Sequence, residues 1–389
     1  MRRYLKQIGK VVLIAVMLLT AVVMSKGLDV HAKEEKTVRV STAKEIKKAI
    51  KNPDVGTIIF RTQAYIDVTI KANKSSKEKF LIVDAPNANI TNKAVFAGIE
   101  VQAAQKYTEN ASGNKIVLTG YMDNSLDGFV VAKNRTVESL TLYSYYYEPG
   151  YVLRKGAKVK ELNVVKRDKD DAPVEITLNG KNRSGKLSIT DYWDFEELFT
   201  FSIDKNGRLS HVICDCDAVE FAFDYKFNYD KNGNLLSITG EDNGNGGSDY
   251  YTYSGTVLVE KKAGVFSVND TKYEYDSKGR LVHEASNHEY IIDETTEYET
   301  STVDYEYDKK GRVIHYRFEY VKSGFFYEYS YEYDSKGFLK KVYCNESGAL
   351  SETSYEYNKA GDMIRFTNVS EGYTETIESK YDELGNRID

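Results

Sequence analysis

Twelve residues, YEYDSKGRLVHE at 273–284, recur as YEYDKKGRVIHY at 305–316, YEYDSKGFLKKV at 331–342 and YEYNKAGDMIRF at 355–366. Weaker copies become visible when each unit is aligned on its glycine: Gly207, Gly233, Gly255, Gly279, Gly311, Gly337, Gly361 and Gly385. Successive intervals are 26, 22, 24, 32, 26, 24 and 24 residues. A chain that rewrites one unit must fold as a series of like elements, each burying surface against its neighbours. Residues 196–389 are therefore expected to form one repetitive sheet.

The unit itself reads as a β-hairpin. Y-E-Y alternates as a strand does, and Asp276, Asp308 or Asp334 then opens a turn by bonding its own downstream backbone. Gly279, Gly311, Gly337 and Gly361 take the left-handed position of a type I turn with a G1 bulge. The expected register sets Tyr275 opposite Leu281 and Tyr273 opposite His283. The tyrosine pairs Tyr273/Tyr275, Tyr305/Tyr307, Tyr331/Tyr333 and Tyr355/Tyr357 then share one face, taken as the core side.

The Y-x-Y-D-x-x-G-R-[LV] pattern at Tyr273 and Tyr305 resembles the YD repeat of the Rhs family, tyrosine–aspartate repeats of bacterial surface and toxin proteins. The resemblance implies a continuous β-sheet ribbon, with carbohydrate or cell contact in some members. Eight units are few for a large closed shell, and the array runs to Asp389, so encapsulation of a toxin is not carried over.

The first half is composed differently: all four prolines, Pro53, Pro86, Pro149 and Pro173, lie there. Thr42 with Glu45 three residues on forms a capping box, and Ala43, Ile46, Ala49 and Ile50 keep helical spacing up to Asn52-Pro53. Short β-branched segments follow: TIIF, FLIV, GIEV, KIVL, FVVA, LTLY, YVLR, LNVV, EITL and LSIT. Strands and polar corners in steady alternation indicate a solenoid. On VRVSTAKEIKKAI and FLIVDAPNANITN, residues 36–190 resemble secreted right-handed parallel β-helix proteins of the pectate-lyase-like kind. The expected fold is mostly β: a short parallel β-solenoid capped by one helix, then an antiparallel β-hairpin repeat sheet. The two parts are expected to form one semi-rigid rod, with Trp193 at the seam and Tyr381 laid against Tyr355 and Tyr357.

A basic head (MRRYLKQIGK), an apolar run at 11–24 and small residues before Ala32 read as a signal peptide over residues 1–32. The run is short of the roughly 20 residues that span a bilayer. Cleavage after Ala32 removes four net positive charges from a total of −6 and leaves about −10. A dispersed acidic balance gives no reason to seek nucleic acid or to remain inserted in a membrane. The expected location is extracellular, with cell-surface association. Cys214, Cys216 and Cys344 are too few for a disulfide framework; one bridge to Cys344, or free thiols, are the alternatives.

Residues of types that carry chemistry elsewhere have plainer readings here. His211, His283 and His315 stand four residues after their turn glycines, a slot that Ser237, Lys341 and Arg365 also fill. That argues for packing on an aromatic across the hairpin, and not for a metal set. Among the 32 tyrosines, those outside the repeat register, Tyr143, Tyr145, Tyr146, Tyr147 and Tyr151, are the candidates for ligand binding. GEDNGNGGSDYY at 240–251 reads as a flexible linker, and Asp168, Asp170 and Asp171 as a solvated corner. No nucleophile elbow, P-loop or HExxH occurs. No catalytic, cofactor or metal residue is therefore assigned. The expected function is a secreted, non-catalytic bacterial surface or matrix protein that binds glycan, cell wall or a surface protein. The alternatives are a small polysaccharide lyase or hydrolase using the solenoid, and a toxin-shell-like partner protein.

Overall fold

The computed structural model describes residues 36–119, 128–143, 150–167, 170, 172–190, 195–216, 222–242, 245–262, 269–292 and 295–389. The leader, Trp193, Asp168, Asp171 and Tyr145 to Tyr147 lie outside the described residues.

The first unit runs β1 (Lys36–Val40), α1 (Ala43–Lys51), β2 (Val55–Arg61), β3 (Ile66–Ile70), β4 (Phe80–Asn92) and β5 (Gly98–Glu109). It continues through β6 (Lys115–Leu118), β7 (Phe129–Val131), β8 (Thr136–Tyr143), β9 (Val152–Leu153), β10 (Lys158–Arg167) and β11 (Pro173–Asn179). The helix starts as its sequence dictates. The Thr42 hydroxyl accepts from Glu45 N, Glu45 reaches back to Thr42 N, and Ile46, Ala49 and Ile50 are buried.

The strands pair in parallel along two tracks. One is β1-β2-β4-β5-β6-β8-β10; the other is β3-β4-β5-β7-β9. Strands β4 and β5 are long enough to serve both, and their register slips at the corner between Ala85 and Asn89. Parallel register sets like residues directly over one another. Ile58, Leu81, Ile99, Ile116, Leu140 and Leu162 form one continuous ladder. All are at most 1% exposed. At about 1.5–3 kcal/mol for each fully buried aliphatic side chain, such ladders carry much of this unit's stability.

Parallel pairing stops at β10. EITL lies in β11, which runs antiparallel to β10, and LSIT lies in β12 (Ser184–Thr190), which belongs to the second sheet. The parallel region is thus shorter than the expected 36–190.

The second sheet has sixteen antiparallel strands in sequence order, among the described residues. After β12 come β13 (Glu196–Ile203), β14 (Leu209–Cys216), β15 (Phe223–Tyr229), β16 (Leu235–Asp242), β17 (Asn245–Ser254), β18 (Val257–Lys262) and β19 (Asn269–Tyr275). Then follow β20 (Leu281–Ile292), β21 (Thr295–Tyr307), β22 (Val313–Tyr320), β23 (Phe326–Tyr333), β24 (Leu339–Glu346), β25 (Ala349–Tyr357), β26 (Met363–Ser370) and β27 (Tyr373–Glu378). Of GEDNGNGGSDYY, 240–242 and 245–251 are strand and not linker. Gly240 pairs with Gly247, Glu241 with Gly246 and Asp242 with Asn245.

The two parts do not extend as a rod. Phe199, Phe201, Val212, Phe223, Phe227, Ile238 and Tyr251 share one core with the ladder of the parallel unit. The sheet then returns to the other end of that unit, consistent with the coiling of long twisted sheets. Gly337 O accepts from Tyr65 N at 2.9 Å, and Tyr65 meets Tyr333 edge-on at 5.1 Å. Arg39, on β1, holds both carboxylate oxygens of Asp362 (2.8 Å from Nη1), and the two side chains are 8% and 5% exposed. Arg61 Nη1 donates to Leu384 O at 3.0 Å. The final turn therefore lies on β1 and β2. Tyr381 bridges to Arg387 within that turn.

Candidate binding faces of the repeat array

Most repeat turns are held by their own aspartate, and the Gly361 turn by Asn358. Asp276 Oδ1 accepts from Lys278 N (2.8 Å) and Arg280 N (3.0 Å), while Gly279, at φ +75°, donates to Asp276 O (2.9 Å). These backbone bonds, with the Arg280 guanidinium, hold the Asp276 carboxyl at about 2. Asp308 repeats the same contacts with Lys310 and Arg312.

The arginine after the glycine ties one repeat to the next. Arg280 Nε donates to Asp276 Oδ2 (2.7 Å), its guanidinium sits 4.6 Å from the Tyr307 ring centroid, and the Tyr307 hydroxyl donates to Leu281 O (2.6 Å). Arg312 and Tyr333 repeat this, with Val313 O as acceptor, and Arg208 and Tyr229 repeat it with Leu209 O. Cation–π contacts of this kind contribute about 0.5–1 kcal/mol each at exposed sites. Tyr229, Tyr307 and Tyr333 are thus bolts between repeats as well as apolar surface.

The strand register differs from expectation by one residue on the return strand. Tyr275 does face Leu281, but Glu274 faces His283 and Tyr273 faces Glu284. An extra residue, Val282, is accommodated by a bulge, and a slip of one residue sends every later side chain to the other face. The histidine slot therefore lies on the polar side and selects an anionic partner, not an aromatic one. His211 bonds Asp224 (2.7 Å), His283 bonds Asp304 (2.7 Å) and His315 bonds Glu328 (2.9 Å). Lys341 likewise pairs with Glu352, and Arg365 with Glu356 and Glu378. Among the described residues, no three His, Cys, Asp or Glu side chains are grouped to hold a metal ion.

The opposite face is aromatic. Across β21 to β23, Tyr305, Tyr316 and Tyr329 stand in one row, with ring centroids 5.4 and 5.8 Å apart. Phe318 and Tyr327 flank it, and Tyr331, Tyr355 and Phe366 continue the face across β23, β25 and β26. Burial is the leading cause that raises the hydroxyl of Tyr305 and pushes that of Tyr331 up to about 12. All these rings are half-buried. Over β13 to β17 the same face is core; over β21 to β26 its rings are only half-buried, with Tyr65 against Tyr333.

Of the tyrosines outside the register, Tyr151 is 3% exposed. Its hydroxyl donates to Gly207 O (2.7 Å) and accepts from Leu209 N (3.1 Å), so it fastens the first repeat turn. Tyr143 is half-buried at the end of β8. Cys214 and Cys344 are free thiols, the first buried.

Sequence reasoning missed Arg39, Arg61 and Tyr65, which hold the returning array. A signal was present in the array. The slot after the turn glycine holds arginine at 208, 280 and 312, but Asn234, Thr256, Phe338, Asp362 and Asn386 elsewhere. Asn234 accepts from Arg154, and Asp362 holds Arg39. Two of these departures thus mark contacts with the parallel unit.

No protein-family model matches the chain, and no curated protein does. Solved structures include the crystal structure of TcdB2-TccC3-Cdc42, at 12% identity and TM-score 0.25, covering 54% of this chain and 14% of that one. A porin-like protein from Bacteroides uniformis matches at 10% identity and TM-score 0.23, covering 47% of this chain and 87% of that one. Among the described residues, no helix is long and apolar enough to cross a membrane.

Proposed function

We propose that this is a secreted, non-catalytic bacterial surface or matrix protein that acts by binding a cell-wall or other glycan through the aromatic face of β21 to β26. The observation that carries the reading is the change along one face, from closed core around Phe199 and Phe223 to half-open rings at Tyr305, Tyr316 and Tyr329. An extended aromatic surface left open on a folded protein marks a site where something else covers it. Tyrosine rings offer a flat apolar body for stacking and a hydroxyl tip for hydrogen bonds. The polar side of the sheet is spent on internal ion pairs and offers less. On this reading the two parallel tracks are a short β-solenoid, the array is of the YD type, and cleavage after Ala32 releases the mature chain.

The test is a glycan and cell-wall binding screen of residues 33–389, run beside a polysaccharide cleavage assay. Binding without cleavage is the expected result. Cleavage that is lost on mutating Asp170 and Asp171 would replace this reading with that of an enzyme.

A further inference from the structure

A cavity of about 320 Å³ lies where the first two repeat turns meet the parallel unit. Three segments build it: the corner from Leu153 to Ala157, the turn at Lys205 and Asn206, and the turn from Tyr229 to Gly233. Their close approach depends on glycine. A Cβ at Gly207 would strike the Val159 carbonyl, and one at Gly233 the Leu153 carbonyl. Val159 N also donates to Asn206 O at 2.9 Å, which fixes the seam.

The lining is strongly cationic in a chain whose net charge is −6. Arg154, Lys155, Lys205, Arg208 and Lys231 all line the cavity, against the single carboxylate of Asp230. That carboxylate is already engaged, since it accepts from Asn232 N (2.7 Å), Asn234 N (2.9 Å) and Asn234 Nδ2 (2.9 Å). Arg208 is tied to Asp204 and Arg154 to Asn234. Lys155, Lys205 and Lys231 are exposed and have no side-chain partner among the described residues. Turn lysines recur along the array, at Lys278, Lys309 and Lys336, but none of these three lines the cavity. A place in the lining of a cavity, and not lysine in a turn, sets Lys155, Lys205 and Lys231 apart.

We propose that the cavity binds an oxyanion group, phosphate or carboxylate, carried on a unit no larger than a sugar. Volumes near 300 Å³ lie at the lower end of small-molecule sites. Three lysines of the lining, none with a side-chain partner among the described residues, complement such an anion, and charge-assisted bonds to it are the stronger kind. The site is separate from the aromatic face, so either can fail without the other.

Residues 33–389 would be titrated by calorimetry with inorganic pyrophosphate, glucuronate and uncharged glucose. The cavity variant is Lys155→Gln/Lys205→Gln/Lys231→Gln. The control, Lys278→Gln/Lys309→Gln/Lys336→Gln, has the same change in net charge. We expect saturable 1:1 binding of pyrophosphate or glucuronate, and which of the two binds assigns the anion. The cavity variant should bind about tenfold more weakly or worse, the scale expected when three exposed ion pairs to the anion are removed together. The control should bind like the unaltered protein. The proposal is overturned if neither anion saturates, if glucose binds as well as glucuronate and pyrophosphate does not bind, or if both variants lose binding equally.

Discussion

Glu109 makes the pH dependence of folding a direct test of how the parallel unit is packed. It ends β5 with its side chain in the interior, 0% exposed. Its Oε2 accepts from Asn92 Nδ2 (2.9 Å), and its Oε1 accepts from Ala111 N (2.7 Å). Those donors favour the carboxylate, but burial is the larger influence and lifts the group from 4.5 to about 7. The unfolded chain therefore releases this proton near pH 4.5, while the folded chain keeps it to about pH 7. Stability contributed by the protonated form is fully present below pH 4.5 and is lost as the pH rises to about 7. At about 1.36 kcal/mol per pH unit, the loss is about 3 kcal/mol. Glu109→Gln removes the titration and nearly keeps the shape. Urea unfolding of both proteins from pH 4 to 8.5 isolates this one group, because all other titrations cancel in the difference. The unaltered protein should lose about 3 kcal/mol relative to the variant across that window, with a plateau above it. Parallel stability profiles would show that Glu109 is not buried as described.

Two further perturbations address the return of the array. Reversing Arg39→Asp or Asp362→Arg alone should cost about 3–5 kcal/mol, because each leaves a buried charge without its partner; the double reversal should recover part of the loss, and strictly additive urea-melt losses would contradict the clasp. Gly279→Ala should cost about 1–2 kcal/mol for its left-handed backbone, whereas Gly233→Ala should cost more, because its Cβ would also strike the Leu153 carbonyl; equal losses would mean that the second repeat turn is not docked.

Local features of this chain were legible because their causes are local. The Thr42–Glu45 box, the ten short strand segments and the glycine of each repeat turn all follow from bonds within a few residues. The face of the histidine slot was not legible, because a bulge at Val282 is not marked by any residue type that compels it. The switch to antiparallel pairing at β11 was hidden for the same reason, since EITL alternates equally well in either direction. The return of the sheet to β1 depends on pairs such as Arg39–Asp362, 323 residues apart, which no local pattern announces. Of the proposed binding surface, the repeat tyrosines are visible in the sequence, but their alternation reads there as core. Whether an alternating aromatic strand is covered depends on what the fold brings over it. Phe199 is closed over in the core shared with the parallel unit, whereas Tyr316 is left half-buried.

The central claim is that binding belongs to the aromatic face and not to the charged one. The most direct measurement is co-sedimentation of residues 33–389 with insoluble peptidoglycan, comparing Tyr316→Ala/Tyr329→Ala with His315→Ala/Lys341→Ala on the opposite face. The unaltered protein and the charged-face variant are expected to sediment alike, while the tyrosine variant stays in solution with its fold retained. Loss of sedimentation in the charged-face variant alone, or no sedimentation of the unaltered protein, would contradict it.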